Sequence, residues 1–207
     1  LFRELKPGTV DAVAEALAGE IRGAGGEVAL GSGVEGFSSG ADSILLRHDG
    51  GETRARFAVC CGGRRSDRLA IAAGAPREPR IVPFRGAYLR LRAEHRELVR
   101  ASVYPVPDPE LPFLGPHLTR TIGGEVLLGP TAMMVGGFAY PGSWRLAIRH
   151  RRAALGELRH ALSRGAFVRE AARVVPGLDP SDFEPGPSGV RAQAMRRDGT
   201  LVDDFVV

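Results

Sequence analysis

The chain has 207 residues, of which 43% are hydrophobic, 25% are charged and 6% are aromatic. This composition excludes collagen-like, coiled-coil and wholly disordered proteins, and the length suits one large or two small domains. The net charge is +4, and acidic residues are interspersed with the basic ones, so we expect no nucleic-acid partner. No run approaches the roughly 18 apolar residues of a membrane span. We therefore expect a cytoplasmic globular protein with at most peripheral membrane contact.

The first third of the chain predicts one helix followed by several strands. Apolar residues from Val13 to Ile21 follow helical spacing, and glycines from Gly23 onward end that helix. The Asp49-Gly50 pair between two strand-like runs is typical of a β-hairpin. We predict strands over residues 27–30, 34–37, 43–48 and 53–60, and a short helix over residues 66–73.

The remainder of the chain predicts a second set of strands and two helices. Five prolines from Pro105 to Pro116 predict an extended, stiff loop, because proline lacks the amide hydrogen that helices and central strands need. We predict strands over residues 81–91, 97–104, 117–122, 125–128, 190–195 and 201–207, and helices over residues 144–162 and 166–175.

Two glycine-rich segments bear on nucleotide binding. Residues 31–36 match the pattern GxGxxG, but a turn rather than a helix follows them, so we reject a dinucleotide site there. At Cys61, Gly62 and Gly63 the backbone can approach a phosphate or a ribose, and a simple tight turn is the other interpretation. Cys60 and Cys61 are adjacent, which is unsuited to a disulfide or a metal site, so we expect both to be small buried hydrophobic residues.

His117 is the candidate acid–base residue. It follows the proline-rich loop and begins a strand that also carries Thr119 and Arg120. A histidine on a rigid support near basic residues suits proton transfer, whereas a surface histidine is the alternative interpretation. The chain shows no metal-ligand spacing. We expect the other histidines to be solvated, namely His48, His95, His150 and His160.

Several segments from residue 57 onward resemble one family. They are FAVCCGG at residues 57–63, IVPFRGAY at residues 81–88, LPFLGPHLTR at residues 111–120, GPTA at residues 129–132, and RAQ and DDF at residues 191–193 and 203–205. In these segments the chain is similar to the L-2-hydroxyglutarate oxidase/dehydrogenase family, which is part of the FAD-dependent D-amino-acid-oxidase-like superfamily.

The resemblance implies an α+β fold, with an α/β FAD-domain portion and a mixed-sheet substrate domain with flanking helices. It implies a partial FAD-binding domain over residues 1–75, a substrate-binding domain that roofs the flavin over residues 76–188, and return strands over residues 189–207. The implied reaction is oxidation of L-2-hydroxyglutarate, or a related 2-hydroxy acid, to the 2-keto acid, with hydride transfer to FAD. The expected partner is a small-molecule dicarboxylate.

The resemblance also implies roles for particular residues. Val34 matches the strand against the adenosine end of FAD, while Cys61, Gly62 and Gly63 match the turn near its ribose and phosphates. His117 would accept the hydroxyl proton of the substrate. Arginine binds carboxylates bidentately, which suits a dicarboxylate. The implied substrate-binding residues are Arg85, Tyr88, Tyr104, Arg120 and Arg191, and we expect Arg85, Tyr88 and Arg191 to converge with His117 over the flavin.

Members of this family carry a strand–GxGxxG–helix unit before these segments and a second glycine-rich segment after them, and this chain has neither. We therefore expect the chain to be a piece of a longer protein and to bind FAD weakly or not at all by itself. Two alternatives stay open. One is a related flavin-dependent oxidoreductase that acts on an amino acid or a glycerol phosphate. The other is a truncated remnant without catalytic activity.

Overall fold

A computed structural model describes residues 9–106 and 115–204. The chain divides into two compact units, Leu1–Arg77 and Glu78–Val207. Helices and β-strands occur in both units, and the strand pairs of the described residues are antiparallel. This arrangement confirms the predicted α+β class.

The first unit contains a three-stranded sheet with one helix before it and one after it in sequence. Its elements are α1 (Thr9–Gly23), β1 (Val34–Ser39), β2 (Ile44–His48), β3 (Gly51–Ala55) and α2 (Ser66–Ala72). The strands pair in the order β1-β2-β3, and the predicted Asp49-Gly50 hairpin joins the last two. A strand begins at Val34, inside the GxGxxG match, so the rejection of a dinucleotide-binding helix there is confirmed.

Two strand predictions in this unit are wrong. Residues 27–30 form no strand, and β3 ends at Ala55 instead of continuing to residue 60. Ile44, the first residue of β2, pairs with Ala55, so β2 has no residue left to pair with the segment that follows. Phe57 and Val59 in that segment are accordingly exposed, at 84% and 88%.

The second unit is built around one long central strand. Its strands are β4 (Arg80–Leu91), β5 (His117–Arg120), β6 (Val126–Gly129), β7 (Met133–Met134) and β8 (Phe183–Met195). β8 pairs with β4 on one side, β6 and β7 share the other side of β4, and β5 lies beyond β6. β8 runs without interruption from Phe183 to Met195, so residues 189–195 are part of this sheet.

Two further strand predictions are corrected in this unit. Ala93–Leu98 form a 3-10 helix, and Val103 joins the sheet only by an isolated bridge to Leu118, so residues 97–104 are not a strand. The strand predicted over residues 201–207 is, in its described part, only a single bridge between Leu201 and Met195. Residues 205–207, and residues 107–114 of the proline-rich loop, lie outside the described residues.

The helices of the second unit are α3 (Pro141–Arg149), α4 (Arg151–Leu162) and α5 (Arg164–Ala171). The single helix predicted over residues 144–162 is therefore two helices, because the backbone of His150 leaves helical geometry with φ −108° and ψ 39°. Ser163 caps α5 by accepting a hydrogen bond from the Ala166 amide at 3.2 Å. No helix in the described part of the chain is long and apolar enough to cross a membrane.

Two hydrophobic clusters hold the strands of the second unit in place. The larger one joins β4, β5, β6, β8 and α5 and includes Leu91, Leu118, Leu128, Phe167 and Phe183. The smaller one joins β4, β8 and α3 through Val82, Phe84, Leu146 and Met195. Burial of one such side chain stabilises the fold by roughly 1.5–3 kcal/mol. The strands that carry most of the predicted site residues are thus firmly packed.

Candidate functional site

Tyr88, Gly129 and His117 form a row across three neighbouring strands. His117 on β5 pairs with Gly129 on β6. Leu89 on β4 pairs with Leu128 on β6, which places Tyr88 beside Gly129. The Tyr88 ring occupies the space of a side chain at position 129, since an added Cβ there would lie 2.6 Å from Tyr88 Cδ1. Residues opposite one another on antiparallel strands share a face, so Tyr88 and His117 lie on one face of the sheet.

Neighbouring groups hold the His117 ring in one tautomer. Its Nδ1 lies 3.2 Å from the carbonyl oxygen of Gly115. A carbonyl only accepts hydrogen bonds, so Nδ1 carries the proton and Nε2 keeps its lone pair. The Tyr104 ring stacks on the imidazole with centroids 4.6 Å apart, and the Tyr104 hydroxyl lies 3.3 Å from the Thr119 hydroxyl. A general base requires a fixed imidazole with a lone pair available, and a neutral His117 ring with its proton on Nδ1 carries that lone pair on Nε2.

The two predicted arginines of the β4–β8 pair lie on opposite faces. Phe84 pairs with Arg191, and Arg85 pairs with Val190. Paired residues share a face, and successive residues along a strand alternate between faces. Arg191 therefore lies on the face of Phe84, and Arg85 lies on the other face.

This alternation decides which predicted residues come together. The β4–β8 register shifts between Ala87 and Leu89, but the extra residue lies on β8, so β4 itself keeps its alternation and Tyr88 shares the face of Phe84. The structure therefore places Arg191, Tyr88 and His117 on one side of the sheet. Arg85 is exposed on the opposite side, where its Nη2 donates to the Ser188 hydroxyl at 3.4 Å. Three of the four residues thus share a face, which Arg85 does not, and their convergence over the flavin stays a prediction.

Arg120 also lies away from His117. It is three residues further along β5 and shares the face of Leu118, which is buried in the larger hydrophobic cluster. Its Nη1 donates to the carbonyl oxygens of Arg96 at 3.2 Å and Val99 at 2.9 Å. Arg120 therefore ties the 3-10 segment to the sheet, which is a structural contact.

The residues predicted to face FAD belong to the first unit. Val34 begins β1 and is 45% exposed. Both cysteines are exposed, which corrects the expectation of buried residues, because the apolar run that carries them lies outside the sheet. Gly63 has φ +53° and open space where a side chain would be, and a Cβ on Gly62 would lie 2.5 Å from a leucine side chain of α2. Cys61, Gly62 and Gly63 are exposed, so the turn leaves its backbone accessible to a ligand except where Leu69 packs against Gly62.

One cluster of titratable side chains was not predicted. The His160 side chain is only 8% exposed, which corrects the expectation of a solvated histidine. Its Nε2 lies 2.8 Å from Glu170 Oε2, and its Nδ1 lies 3.9 Å from Glu157 Oε1. Glu157 Oε2 in turn accepts a hydrogen bond from the Ala132 amide at 2.6 Å. Residues three positions apart are neighbours on a helix, so the sequence could have predicted the contact between Glu157 and His160. The contact with Glu170 could not be predicted, because it depends on how the chain turns between α4 and α5.

A cavity of about 700 Å³ lies beside this cluster. It is lined mainly by apolar residues of β7, α3 and α4, together with Glu157, His160 and Glu170. None of the predicted substrate-binding residues lines it, but Gly115 and Pro116, which directly precede His117, do. Over residues 9–106 and 115–204, no group of three or more His, Cys, Asp or Glu side chains is placed to hold a metal ion.

Curated relatives point to one enzyme. The chain is 37% identical to the mitochondrial L-2-hydroxyglutarate dehydrogenase of Nematostella vectensis, over 94% of the chain and 49% of that relative. It is 36% identical to the L-2-hydroxyglutarate dehydrogenase of Escherichia coli strain K12, over 94% of the chain and 50% of that relative. The chain thus spans about half the length of the curated relatives it matches.

Solved structures agree with the fold. The L-alpha-glycerophosphate oxidase of Mycoplasma pneumoniae aligns with a TM-score of 0.62 at 16% identity, covering 88% of this chain and 43% of that one. The glycine oxidase of Geobacillus kaustophilus aligns with a TM-score of 0.58 at 20% identity, covering 90% and 42%. The family model described as FAD dependent oxidoreductase matches residues 8–207. The chain therefore belongs to the FAD dependent oxidoreductase family.

Proposed function

We propose that this chain serves the oxidation of L-2-hydroxyglutarate, or a related 2-hydroxy acid, to the 2-keto acid, with FAD as the cofactor. The observation that carries the proposal is the shared face of Arg191, Tyr88 and His117, with His117 held so that Nε2 is the proton acceptor. The names of the curated relatives supply the substrate.

His117 is proposed to take the proton of the substrate hydroxyl. Oxidation of a secondary alcohol removes a hydride from the carbon and a proton from the oxygen, and a base within hydrogen-bond reach of that oxygen accelerates the reaction. Nε2 is suited to this task because Nδ1 is already committed to the Gly115 carbonyl. The stacked Tyr104 ring keeps the imidazole from rotating.

Arg191 is proposed to bind a carboxylate of the substrate. A guanidinium group matches a carboxylate with two parallel hydrogen bonds, and a carboxylate removed from water without a charged partner costs several kcal/mol. Tyr88 lies on the same face and offers a hydroxyl group to the same ligand. Arg85 and Arg120 lie on the other faces of their strands, so the proposal assigns them no contact with the substrate.

The first unit is proposed to contribute to the FAD-binding domain, and the second unit to form the substrate domain. The accessible backbone of Cys61, Gly62 and Gly63 fits close approach by a phosphate or a ribose, and the exposed Val34 side chain fits an apolar contact. When bound, FAD would supply the acceptor for the hydride of the substrate. The protein residues bind and orient the substrate and hold its hydroxyl proton.

The proposal is tested with the product of the complete reading frame. Flavin reduction is followed with L-2-hydroxyglutarate, D-2-hydroxyglutarate, glycine and glycerol 3-phosphate as substrates. We expect rapid reduction by L-2-hydroxyglutarate. Reduction by glycine or glycerol 3-phosphate instead would replace the substrate assignment, and no reduction by any of the four would contradict the proposal.

Two variants then separate the roles of the residues. We expect Arg191→Lys mainly to raise KM for the dicarboxylate, because lysine cannot make the bidentate contact. We expect His117→Gln to lower kcat by about 10²–10⁴-fold with a smaller change in KM. Arg85→Lys is the matched arginine variant on the other face. If Arg85→Lys raised KM for the dicarboxylate as much as Arg191→Lys does, the assignment of the two arginines to opposite faces would be contradicted.

A further inference from the structure

Glu157, a carboxylate on helix α4, contacts residues 129–132. This segment begins at Gly129, which lies between Tyr88 and His117. Glu157 on α4 accepts a hydrogen bond through Oε2 from the Ala132 amide at 2.6 Å. Ala132 is 7% exposed and the Glu157 side chain 24%, so water competes weakly for this bond. A buried amide that loses its acceptor is costly, because backbone donors in the interior need a partner.

The Glu157 carboxylate lies beside a histidine that the next helix binds. His160, one turn further along α4, lies 3.9 Å from Glu157 Oε1 through Nδ1 and 2.8 Å from Glu170 Oε2 through Nε2. The imidazole ring also packs against Phe167 of α5, with centroids 5.3 Å apart. Within the described residues, Nδ1 is buried without a hydrogen-bond partner, so its nearby charged neighbour is Glu157.

Residues 129–132 connect Glu157 to the candidate site. Two hydrogen bonds join Thr131 to Ala87 of β4. The Thr131 amide donates to the Ala87 carbonyl at 3.0 Å, and the Thr131 hydroxyl accepts from the Ala87 amide at 3.1 Å. A Cβ on Gly86 would lie 2.9 Å from Pro130, so β4 and this segment are in close contact. The first residue of the segment, Gly129, pairs with His117 and lies against the Tyr88 ring.

We propose that Glu157 is a positioning residue of the site. Through the Ala132 amide it holds residues 129–132 against β4, and thereby sets how Tyr88 and His117 lie on either side of Gly129. His160, which is bound by Glu170, lies beside this carboxylate. This inference rests on the proposed role of His117, but the geometry it describes is measurable without substrate or flavin.

The test uses nuclear magnetic resonance on the 207-residue chain. The measured quantities are the hydrogen exchange of the Ala132 amide, the titration of the His117 ring and the signals of the Tyr88 ring. The variants are Glu157→Ala, which removes the acceptor, and Glu157→Gln, whose side-chain oxygen can accept the same bond. Glu157→Asp keeps the charge but is one methylene shorter, and it replaces Glu157→Ala if the alanine variant does not fold. Glu94→Ala, in the exposed 3-10 segment, is the matched control.

We expect Glu157→Ala to speed exchange of the Ala132 amide about tenfold or more, and to shift both the His117 titration and the Tyr88 signals. Glu157→Gln should restore all three towards wild type, and Glu94→Ala should leave them unchanged. If Glu157→Ala or Glu157→Asp changes the exchange of Ala132 but leaves His117 and Tyr88 as in the wild type, Glu157 only ties helix to sheet and the proposal is wrong.

A separate assay distinguishes this failure from that of the proposed function. In the product of the complete reading frame, L-2-hydroxyglutarate turnover tests the function, whereas the shift of the His117 titration in Glu157→Ala tests the positioning role. A protein that does not turn over the substrate yet shows the shift would retain the positioning role. A protein that turns it over without any shift would overturn the role and retain the function.

Discussion

Replacement of Arg120 by alanine is expected to destabilise the second unit, because it removes two hydrogen bonds to backbone carbonyl groups. The guanidinium group donates to the carbonyl oxygens of Arg96 and Val99, at 3.2 and 2.9 Å, and both belong to the segment that follows β4. Val99 is a member of the larger hydrophobic cluster and is 1% exposed. Loss of the arginine therefore leaves two carbonyl groups to find other donors beside a packed core.

The expected magnitude follows from the geometry. A hydrogen bond from a charged donor contributes about 1.5–3 kcal/mol, and the value falls where water can replace the donor. The Arg120 side chain is 30% exposed, so we expect the two bonds together to contribute about 2–3 kcal/mol to the free energy of unfolding. The contact with Glu97 adds less than about 1 kcal/mol, because Glu97 is 84% exposed and lies 3.8 Å away.

Urea unfolding of the 207-residue chain measures this effect. Arg120→Ala should lower the midpoint clearly, and Glu97→Gln should change it little. Arg100→Ala, an exposed arginine next to the same 3-10 segment, is the matched control and should stay within about 0.5 kcal/mol of wild type. A wild-type midpoint for Arg120→Ala, together with a raised KM for the dicarboxylate in the complete enzyme, would refute this reasoning and return Arg120 to the substrate-binding residues.

Two further predictions concern stability. Burial, followed by the nearby Glu78 carboxylate, raises the pKa of Tyr140 from 10.0 to about 12. Between pH 10 and 12 the folded protein keeps the Tyr140 proton that the unfolded chain loses, so the free energy of unfolding should fall as the pH rises from about 10 to 12. Tyr140→Phe should remove that part of the pH dependence, as measured by denaturation at several pH values. Gly129→Ala should lower the free energy of unfolding by about 1–3 kcal/mol, since Gly129 has φ +154° and its Cβ would meet both the Tyr88 ring and the Ala87 carbonyl. Gly156→Ala, in open space within α4, should raise it by up to about 1 kcal/mol. Equal urea midpoints for the two glycine variants would contradict the proposed contact between Gly129 and Tyr88.

Local patterns in the sequence were enough to locate most of the strands and to suggest the family. β2, β4, β5 and β6 begin and end within two residues of the predicted positions, because alternating apolar residues and turn-forming glycines act over a few neighbours. The local sequence was also enough to reject a dinucleotide site at the GxGxxG match, because a turn and not a helix follows it. His117 also stood out locally, because it follows the proline-rich loop and begins a strand.

The arrangement of the site depends on contacts between residues that are far apart in the chain. The register of β4 with β8 joins residues about a hundred positions apart, and a shift of one residue would place Arg191 on the same face as Arg85. Arg120 resembles a substrate-binding residue until the 3-10 segment folds back and presents two carbonyl oxygens to it. His160 resembles a solvated residue until the turn between α4 and α5 brings Glu170 to its ring. The sequence by itself determined which elements form and which family the chain resembles, whereas strand register and helix packing decided which side chains share a face, because those contacts are made between distant segments.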